Sequence, residues 1–312
     1  MQHSSITFAC ATESERDIIH AIALGESVRR FGGDLAQRPV WIFVPPQLAA
    51  SAAVYADRLA DAAIEVVPLP LGQFPTSLPF ALKTLAAATA ERMAARICVD
   101  LLVWMDAGSL VVRQPDDLVL PAGTVFGYRP VDHTLIGSRQ AEPVDEFWQL
   151  VYARCQTPPG RLFAMPTTVD DQVLRPYFNA GLMVVRPEHG LFRAWADNFA
   201  RLQGDDSFGP FMAKGIYRVF FHQAILAGTA LALIDGNQMI LLPPWVSYPL
   251  HMQDQYPVGR RAADLAQLVT VRHEGVFDDP GWADRVEITV PDDLGQWIGE
   301  RLGSQGGTPH ED

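Results

Sequence analysis

Short apolar strands alternate with helical segments through the first hundred residues, and this alternation limits the chain to a small set of folds. The strand patterns are SITFACAT, RPVWIFVPP and IEVVPLP. Between the first two lies ERDIIHAIALGESVRRFGG, where apolar or small residues recur at helical spacing before a Gly-Gly stop: Ile18, Ala21, Ile22, Gly25 and Val28. Helices that connect successive strands favour parallel neighbours in a sheet covered by helices. The sequence therefore predicts an α/β fold.

A fourth strand pattern, LLVWMDAGSLVVRQP, ends its first apolar run at Asp106 and turns on Ala107-Gly108. The helical segment ahead of it starts behind Pro79 and leads directly into this strand. An acid at the carboxyl end of a strand can bind ligand, because ligands of open α/β sheets collect there. Aspartate and glycine are also the commonest turn residues, so this stretch alone favours a turn. We predict that the four strands lie side by side in a mixed, mostly parallel central sheet.

The second half of the chain is less regular. Residues 130–175 are rich in proline and polar residues, and a further strand, PYFNAGLMVVRPE, follows them. Helices are predicted for LFRAWADNFARLQ, YRVFFHQAILAGTAL and DDLGQWIGERL, and a late strand for LVTVRHEG. Because no repeat or long linker divides the chain, we predict a single domain over residues 1–302. Residues 303–312 lack apolar anchors and are predicted to form a disordered tail.

Composition excludes several classes of protein. A net charge of −12 opposes non-specific attraction to nucleic acid or to an anionic membrane. No run of about eighteen apolar residues supports a transmembrane helix, and the first residues lack the basic-then-apolar order of a signal peptide. Cys10, Cys98 and Cys155 are odd in number and widely spaced, which argues against disulfides and a cysteine zinc site. We expect a cytoplasmic protein that has no transmembrane segment and no nucleic-acid partner.

Four patches carry a family resemblance: FACATESERDIIHAIALGESVRRFG, LLVWMDAG, YFNAGLMVVRPEHGLFRAW and VTVRHEGVFDDPGW. In this order they resemble the GT-A-fold glycosyltransferases, and among these the retaining, glycogenin-like sugar-nucleotide transferases. The resemblance implies a GT-A-like nucleotide-diphosphosugar transferase fold. It also implies a hexosyltransferase-type enzyme that moves a sugar from a nucleotide-diphosphate donor, a UDP-sugar, to an acceptor that the sequence does not identify.

The first patch is similar to the family's opening strand, nucleotide-base loop and first helix. The resemblance implies that Ala11, Thr12 and Glu13 lie beside the uracil and ribose of the donor. An ordinary loop with Thr12 or Ser14 as the helix N-cap is the equally weighted alternative. Lys83 occupies a position where the family often has a basic residue near the donor, although a solvated helix lysine is the alternative.

The second patch resembles the family's D-x-D motif, whose two aspartates serve a divalent cation on the donor's diphosphate. Hard cations such as Mn²⁺ or Mg²⁺ prefer oxygen ligands. Asp106 matches the first aspartate, whereas Gly108 replaces the second. The resemblance places Asp106, Ala107 and Gly108 at the donor. A cation held here is expected to bind weakly or to be absent.

The fourth patch resembles the family's H-x-x-G-x-x-K-P-W segment, in which histidine completes the metal site and lysine holds phosphate. His273 matches the histidine and is therefore expected to bind the metal with Asp106. Asp278 and Asp279 stand in place of the lysine region. Carboxylates near a diphosphate repel it unless a metal lies between them.

The third patch matches the family's FNAG strand. The resemblance implies that Asn179 faces the donor sugar and that Gly181 lets the backbone approach it closely; a plain turn into a buried strand is the alternative. His222 and Gln223 stand where the family commonly has D-Q near the reacting sugar carbon. Gln223 would orient the sugar, and His222 would accept a proton, since its reference pKa is close to neutrality; a core histidine is the alternative.

The roles of two further sets of residues remain open. The Asp170-Asp171 pair is a conjectural substitute for the missing catalytic acid. Aromatic and proline residues from a later loop would stack on a sugar, or would simply form a hydrophobic loop: Pro244, Trp245, Tyr248 and His251.

The altered motifs also allow a second class of function. A catalytically inactive GT-A-like binding or structural protein would lose the second metal carboxylate, the phosphate lysine and the usual acid. An unrelated hydrolase gains no support, because GxSxG, Walker-type GxxxxGK and HExxH motifs do not occur.

Overall fold

The computed structural model describes residues 4–279 and 281–303. The strands are β1 Ile6–Ala11, β2 Val40–Val44, β3 Glu65–Pro68, β4 Leu101–Met105, β5 Ser109–Val111, β6 Phe126–Pro130, β7 Met165–Pro166, β8 Val173–Leu174, β9 Phe178–Val185, β10 Met239–Leu241, β11 Tyr248–Pro249 and β12 Thr270–Arg272. The α-helices are α1 Glu15–Phe31, α2 Ala49–Ala53, α3 Ala56–Asp61, α4 Ala81–Arg96, α5 Glu146–Cys155, α6 Leu191–Leu202, α7 Gly209–Met212, α8 Gly215–Leu233, α9 Trp282–Val286 and α10 Asp292–Leu302.

Seven strands form the central sheet, in the order β10-β6-β9-β4-β1-β2-β3. The pairs β1–β2, β1–β4, β2–β3 and β6–β10 are parallel, whereas β9 runs antiparallel to both β4 and β6. The four strands predicted to be neighbours are β4, β1, β2 and β3, and they are adjacent. The predicted mixed, mostly parallel α/β sheet is therefore confirmed.

A smaller sheet has the strand order β11-β12-β5. Its strand β5 follows β4 directly, after the turn at Asp106. β12 pairs antiparallel to β5, so that Arg272 lies opposite Ser109. The amide of His273 donates to the carbonyl oxygen of Gly108 at 2.8 Å. These contacts attach the late strand β12 to the turn at Asp106, more than 160 positions earlier in the sequence.

The helix α1 begins at a capping box in which Ser14 is the N-cap. The side chain of Asp17 accepts from the amide of Ser14 at 2.8 Å, and the Ser14 hydroxyl accepts from the amide of Asp17. These bonds satisfy amides that the first turn of a helix leaves free. The apolar and small residues at helical spacing are all buried, as the sequence predicts: Ile18, Ala21, Ile22, Gly25 and Val28.

The helix α8 fills the interior beside the central sheet. Within the described part of the chain it is the one helix whose length and composition would suit a membrane span. The stretch Phe221–Leu231 is buried without interruption, and α8 packs against α5, α6 and β9. Burial in the core accounts for its apolar sequence.

The end of the chain was predicted as helix and tail. The predicted helix DDLGQWIGERL coincides with α10. Apart from Gly303, the tail 303–312 lies outside the described residues. The division into one domain and a tail stays a prediction.

Candidate active site

A cleft of about 330 Å³ opens where the carboxyl ends of β1, β4 and β6 meet the amino end of the antiparallel strand β9. This is the edge of an open α/β sheet at which ligands bind. Most of the predicted site residues line it, although they come from distant parts of the sequence: Ala11, Glu13, Lys83, Asp106, Ala107, Gly108, Asn179, Gly181, His222 and Gln223.

Thr12 and His273 do not line this cleft. Thr12 is fully buried, and its amide donates to the carbonyl oxygen of Phe43 at 3.0 Å. His273 is also fully buried, with its ring 4.9 Å from that of His20 and 4.8 Å from that of Phe277. Neighbouring residues of an extended chain point to opposite sides, and it is Arg272 that reaches the cleft. The expectation that His273 joins Asp106 there is wrong.

Asp106 is held between β9 and α4. Its amide donates to the carbonyl oxygen of Gly181 at 2.8 Å, and its Oδ2 lies 2.7 Å from Nζ of Lys83. Lys83 is buried, its backbone amide donates to Glu13 at 3.1 Å, and its Nζ lies 4.6 Å from the ring centre of Phe80. The structure thus contradicts the alternative of a solvated helix lysine.

Burial raises the pKa of the Glu13 carboxyl group, and the charge of Lys83 opposes that rise. Glu13 and Lys83 are thus linked in two ways at the start of α4, by the hydrogen bond from the Lys83 amide and by the attraction between their charges. These charges face the cleft next to Asp106.

Gly181 lets three polar side chains approach one point on β9. A Cβ atom there would lie 2.9 Å from Oδ1 of Asn179, 3.1 Å from Cδ of Arg272 and 3.3 Å from Oδ2 of Asp106. Distances near 3 Å are too short for a side-chain carbon, so this site requires glycine for close approach. The backbone of Gly181 donates to Oδ1 of Asn179 at 2.8 Å.

A buried ion pair that the sequence analysis missed forms the floor of the cleft. Nη2 of Arg272 lies 2.6 Å from Oδ2 of Asp132, which also accepts from Nδ2 of Asn179 at 3.2 Å. Oδ1 of Asp132 accepts from the hydroxyl of Thr168 at 2.6 Å. Burial alone would lower the pKa of Arg272, but the negative charge of Asp132 raises it above its usual value.

Two signals in the sequence point to this pair. Asp132 follows the strand β6 at its carboxyl end, and Arg272 is the one charged residue of the strand β12.

His222 and Gln223 lie side by side on α8. Oε1 of Gln223 accepts from the amide of Ala180 at 3.1 Å, which ties it to β9. Nδ1 of His222 lies 2.9 Å from the carbonyl oxygen of Val219 and therefore donates to it, leaving Nε2 as the acceptor. Burial, aided by the charge of Lys83, lowers the pKa of His222 well below its usual value. The near-neutral reference pKa therefore does not apply at this buried position, and a proton-accepting role for His222 stays a prediction.

The conjectural acids lie elsewhere. Asp170 accepts from Thr134 at 3.0 Å, and Asp171 forms an exposed ion pair with Arg260; neither aspartate lines the cleft. Asp278 and Asp279 also lie outside the cleft lining. The prediction of a substitute pair at Asp170-Asp171 is therefore wrong in its placement.

Only one of the four residues considered for sugar stacking lies in the cleft. His251 lines the cleft, whereas Pro244, Trp245 and Tyr248 do not. The indole nitrogen of Trp245 instead donates to Asp117 at 2.8 Å.

The side chains at Asp106 do not fit a divalent cation. Its carboxylate already has an ammonium partner, Gly108 supplies no second carboxylate, and His273 is buried away from the cleft. Within residues 4–279 and 281–303, no group of three histidine, cysteine, aspartate or glutamate side chains could hold a metal. The donor set is therefore short of the several oxygen ligands that Mg²⁺ or Mn²⁺ requires.

Residues 8–226 match the Rhodobacterales glycosyltransferase domain. The match covers more than half of the chain, and the chain belongs to this family of glycosyltransferase domains. No curated protein matches the sequence.

Among solved structures, the chain is similar to the bifunctional glycosyltransferase WbbM in its apo form, with a TM-score of 0.50 and 13% identity. The similarity covers 96% of this chain and 52% of the WbbM chain, so this chain spans about half of that structure. The galactosyltransferase LgtC, solved with donor and acceptor sugar analogues, has a TM-score of 0.48 at 14% identity, over 98% of this chain and 97% of that chain. The predicted GT-A-like fold is confirmed, while the glycogenin-like subfamily stays a prediction.

Proposed function

We propose that this chain transfers a sugar, a hexose, from a UDP-sugar to an acceptor, and that it does so in the cytoplasm. One observation carries the proposal. Segments that resemble a sugar-nucleotide site, and that are spread from residue 11 to residue 223, line a single cleft at the ligand-binding edge of the sheet. Membership of a glycosyltransferase family supports the same chemistry.

The cleft offers three groups of contacts to such a donor. Ala11 and Glu13 would face the nucleoside at the end of β1, and Lys83 would face the diphosphate. Asn179 and Gln223 would orient the sugar, because their amide groups are fixed by hydrogen bonds to Asp132 and to the β9 backbone. A pre-oriented amide needs little reorganisation when it binds a sugar hydroxyl.

Transfer breaks the bond between the sugar's anomeric carbon and the phosphate oxygen and forms a bond to the acceptor oxygen. UDP leaves with the bonding electrons, and the proton of the acceptor hydroxyl passes to a phosphate oxygen of the departing UDP. Positive charge beside the departing phosphate stabilises this change, and Lys83 supplies it in the cleft. Neutral His222 can accept a hydrogen bond through Nε2, which suits orientation of a hydroxyl better than full proton abstraction.

The acceptor is proposed to enter beside the later loops. His133, Leu135, His251 and Met252 line the cleft on the side that β6 and the segment after β11 supply. This mixture of imidazole and apolar side chains suits the polar and apolar faces of a sugar ring.

Thermal unfolding with nucleotides tests the donor. A ligand that binds only the folded chain raises its apparent stability, and a hundredfold excess of UDP over its Kd should raise the melting temperature by roughly 4 °C. ADP and GDP should have smaller effects. Asn179→Ala should weaken UDP-sugar binding and leave UDP binding nearly unchanged, whereas Asn198→Ala, outside the cleft, should change neither. Absence of stabilisation by every nucleoside diphosphate would contradict the proposal.

A non-catalytic binding protein is the second candidate. Two features favour it: Gly108 lacks the second carboxylate of the family's pair, and Lys83 occupies the first carboxylate, Asp106. Slow hydrolysis of a UDP-sugar in the absence of acceptor separates the two candidates. UDP release above the uncatalysed rate identifies a transferase, whereas tight binding without release identifies a binding protein.

A further inference from the structure

A fixed cation occupies the position at Asp106 where the family resemblance places a metal. Nζ of Lys83 lies 2.7 Å from Oδ2 of Asp106, and it also lies 4.6 Å from the ring centre of Phe80. Lys83 is only 9% exposed, and its backbone amide donates to Glu13. Burial and these contacts hold the ammonium group inside the cleft.

A divalent cation has few ligands beside Asp106, even though Glu13, Asp17, Asp132 and Glu274 also line the cleft. Gly108 has no side chain to offer, and the carboxylate of Asp132 is already paired with Arg272. A cation placed at Asp106 would be repelled by the ammonium group and would compete with it for the same carboxylate.

We propose that the ammonium group of Lys83, oriented by Asp106, binds the donor's diphosphate in place of a divalent cation, so that nucleotide binding needs no metal. This inference rests on the proposed function. A lysine ammonium has three N–H donors, and Asp106 accepts from one of them. The other two remain for phosphate oxygens, within a cleft that contains no second lysine.

The residue that binds Asp106 is a lysine, which is rare in this chain. Lys83 and Lys214 are the two lysines of the chain, whereas arginine accounts for the remaining 22 of its 24 basic residues. An ammonium group is a compact point charge, and it resembles a small metal ion more closely than a planar guanidinium does. Lys214 lies at the start of α8 with its Nζ 5.9 Å from the ring centre of Tyr217, which makes it a matched lysine outside the cleft.

Titration calorimetry with UDP and with uridine, each in EDTA and in MnCl₂, tests the proposal. We expect UDP to bind with a Kd that manganese changes by no more than about threefold. Lys83→Met should weaken UDP binding by about tenfold or more and leave uridine binding unchanged, because only the diphosphate loses a charged partner. Lys214→Met should behave as the unaltered protein.

The outcomes separate this inference from the proposed function. UDP binding that requires manganese, or that survives Lys83→Met, would overturn the inference and leave the proposed function in place. Failure of both UDP and uridine to bind under either condition would overturn both. Thermal unfolding of the two variants shows whether each still folds.

Nuclear magnetic resonance of the unaltered protein gives a second test that does not depend on a variant's folding. Protein made with ¹³C-labelled lysine has two ε-methylene signals, which a Lys214→Met sample assigns. UDP without metal should shift the Lys83 signal and leave the Lys214 signal in place. Manganese alone should not broaden the Lys83 signal selectively. Selective broadening would place the paramagnetic ion beside Asp106 and overturn the proposal.

Discussion

Two ion pairs flank Gly181, and they differ in how fully their hydrogen-bonding groups are used. The side chains of Arg272 and Asp132 are 9% and 8% exposed, and Asp132 also accepts from Asn179 and Thr168. The side chains of Lys83 and Asp106 are 11% and 25% exposed. Among the described residues, Asp106 is the one hydrogen-bond acceptor of Nζ of Lys83. Nε of Arg272 also donates to the carbonyl oxygen of Ser247 at 3.3 Å, so the first pair belongs to a buried hydrogen-bond network. The second pair has donors available for a ligand.

This difference predicts that one ion pair of the cleft stabilises the fold and that the other binds ligand. A buried charge whose partner is removed has no water to replace it, so the buried pair should govern folding. In the second pair Lys83 is buried, but Asp106 is 25% exposed, so water can solvate this carboxylate when its partner is removed and little stability is lost. The Lys83–Asp106 pair should therefore govern ligand binding.

Asp132→Ala should give the largest effect. It leaves the Arg272 guanidinium buried without its carboxylate and should lower the free energy of unfolding by about 3–5 kcal/mol. Lys83→Met should lower it by no more than about 1 kcal/mol, because Asp106 retains access to solvent. Urea unfolding of both variants measures the difference. Equal losses of stability would remove the distinction between the two pairs.

Gly181→Ala should disturb both pairs at once. The added methyl group would lie near 3 Å from side-chain atoms of Asn179, Arg272 and Asp106, and overpacking of this kind costs about 1–3 kcal/mol. UDP binding should weaken as well, since Asp106 is displaced. Gly204→Ala is the control, because a Cβ there meets no heavy atom within 4 Å. If Gly181→Ala matches this control in unfolding and in calorimetry, the two pairs are not coupled through this residue.

The sequence predicts the central sheet better than the smaller sheet. Its apolar runs of four to six residues identify β1, β2, β3 and β4, because helical segments separate them along the chain. In the smaller sheet, β12 lies within the predicted late strand LVTVRHEG, whereas β11 has two residues, too few to establish a period. The pairing of β12 with β5 joins positions more than 150 residues apart, which no local pattern indicates.

In the candidate site, too, the sequence predicts local features better than contacts between distant positions. Most of the cleft residues that were found in the sequence lie in local patches next to a strand end, and Lys83, His222 and Gln223 lie on the helices α4 and α8. Asp132 and Arg272 were missed because their significance lies in a contact between positions 140 residues apart. His273 was chosen by the spacing of a motif, yet the alternation of an extended chain turns its side chain away and presents Arg272 instead.

Acid should lower the free energy of unfolding through two buried histidines, one near each ion pair. Burial lowers the pKa of both His222, beside Lys83, and His273, next to Arg272, well below the ordinary value of 6.5. In the unfolded chain both titrate near 6.5, so below that pH the unfolded state binds more protons than the folded state. Stability is therefore complete above pH 6.5 and falls as the pH falls below it, by at most about 1.4 kcal/mol per pH unit for each histidine.

Urea unfolding between about pH 7.5 and about pH 5.5 measures this slope. His273→Asn keeps an acceptor near the amide of Gly275, which donates to Nδ1 of His273 at 3.2 Å, and it removes one titrating group. Its stability should depend less on pH than that of the unaltered chain. An unchanged slope would mean that His273 is not a source of the acid sensitivity.

Gly108→Asp should have the smallest effect, and it tests why the second pair has no metal. The backbone of Gly108 is not in the positive-φ region, and a Cβ there would meet the backbone of Glu274 no closer than 3.7 Å. Aspartate therefore fits the turn without strain. It restores a D-x-D pair, but Lys83 still holds Asp106, so manganese must compete with an ammonium group already in place.

We expect UDP affinity of Gly108→Asp to fall in EDTA, because a carboxylate repels the diphosphate, and to recover by a few-fold with manganese. In Gly108→Asp/Lys83→Met the manganese response should be larger, since Asp106 is then free to bind the metal. Gly160→Asp, which adds the same charge where a Cβ meets no neighbour, should show no manganese response. If neither cleft variant responds to manganese in calorimetry, the lysine is not what excludes the metal, and the turn at Asp106-Ala107-Gly108 lacks the geometry of a cation site whatever side chains it carries.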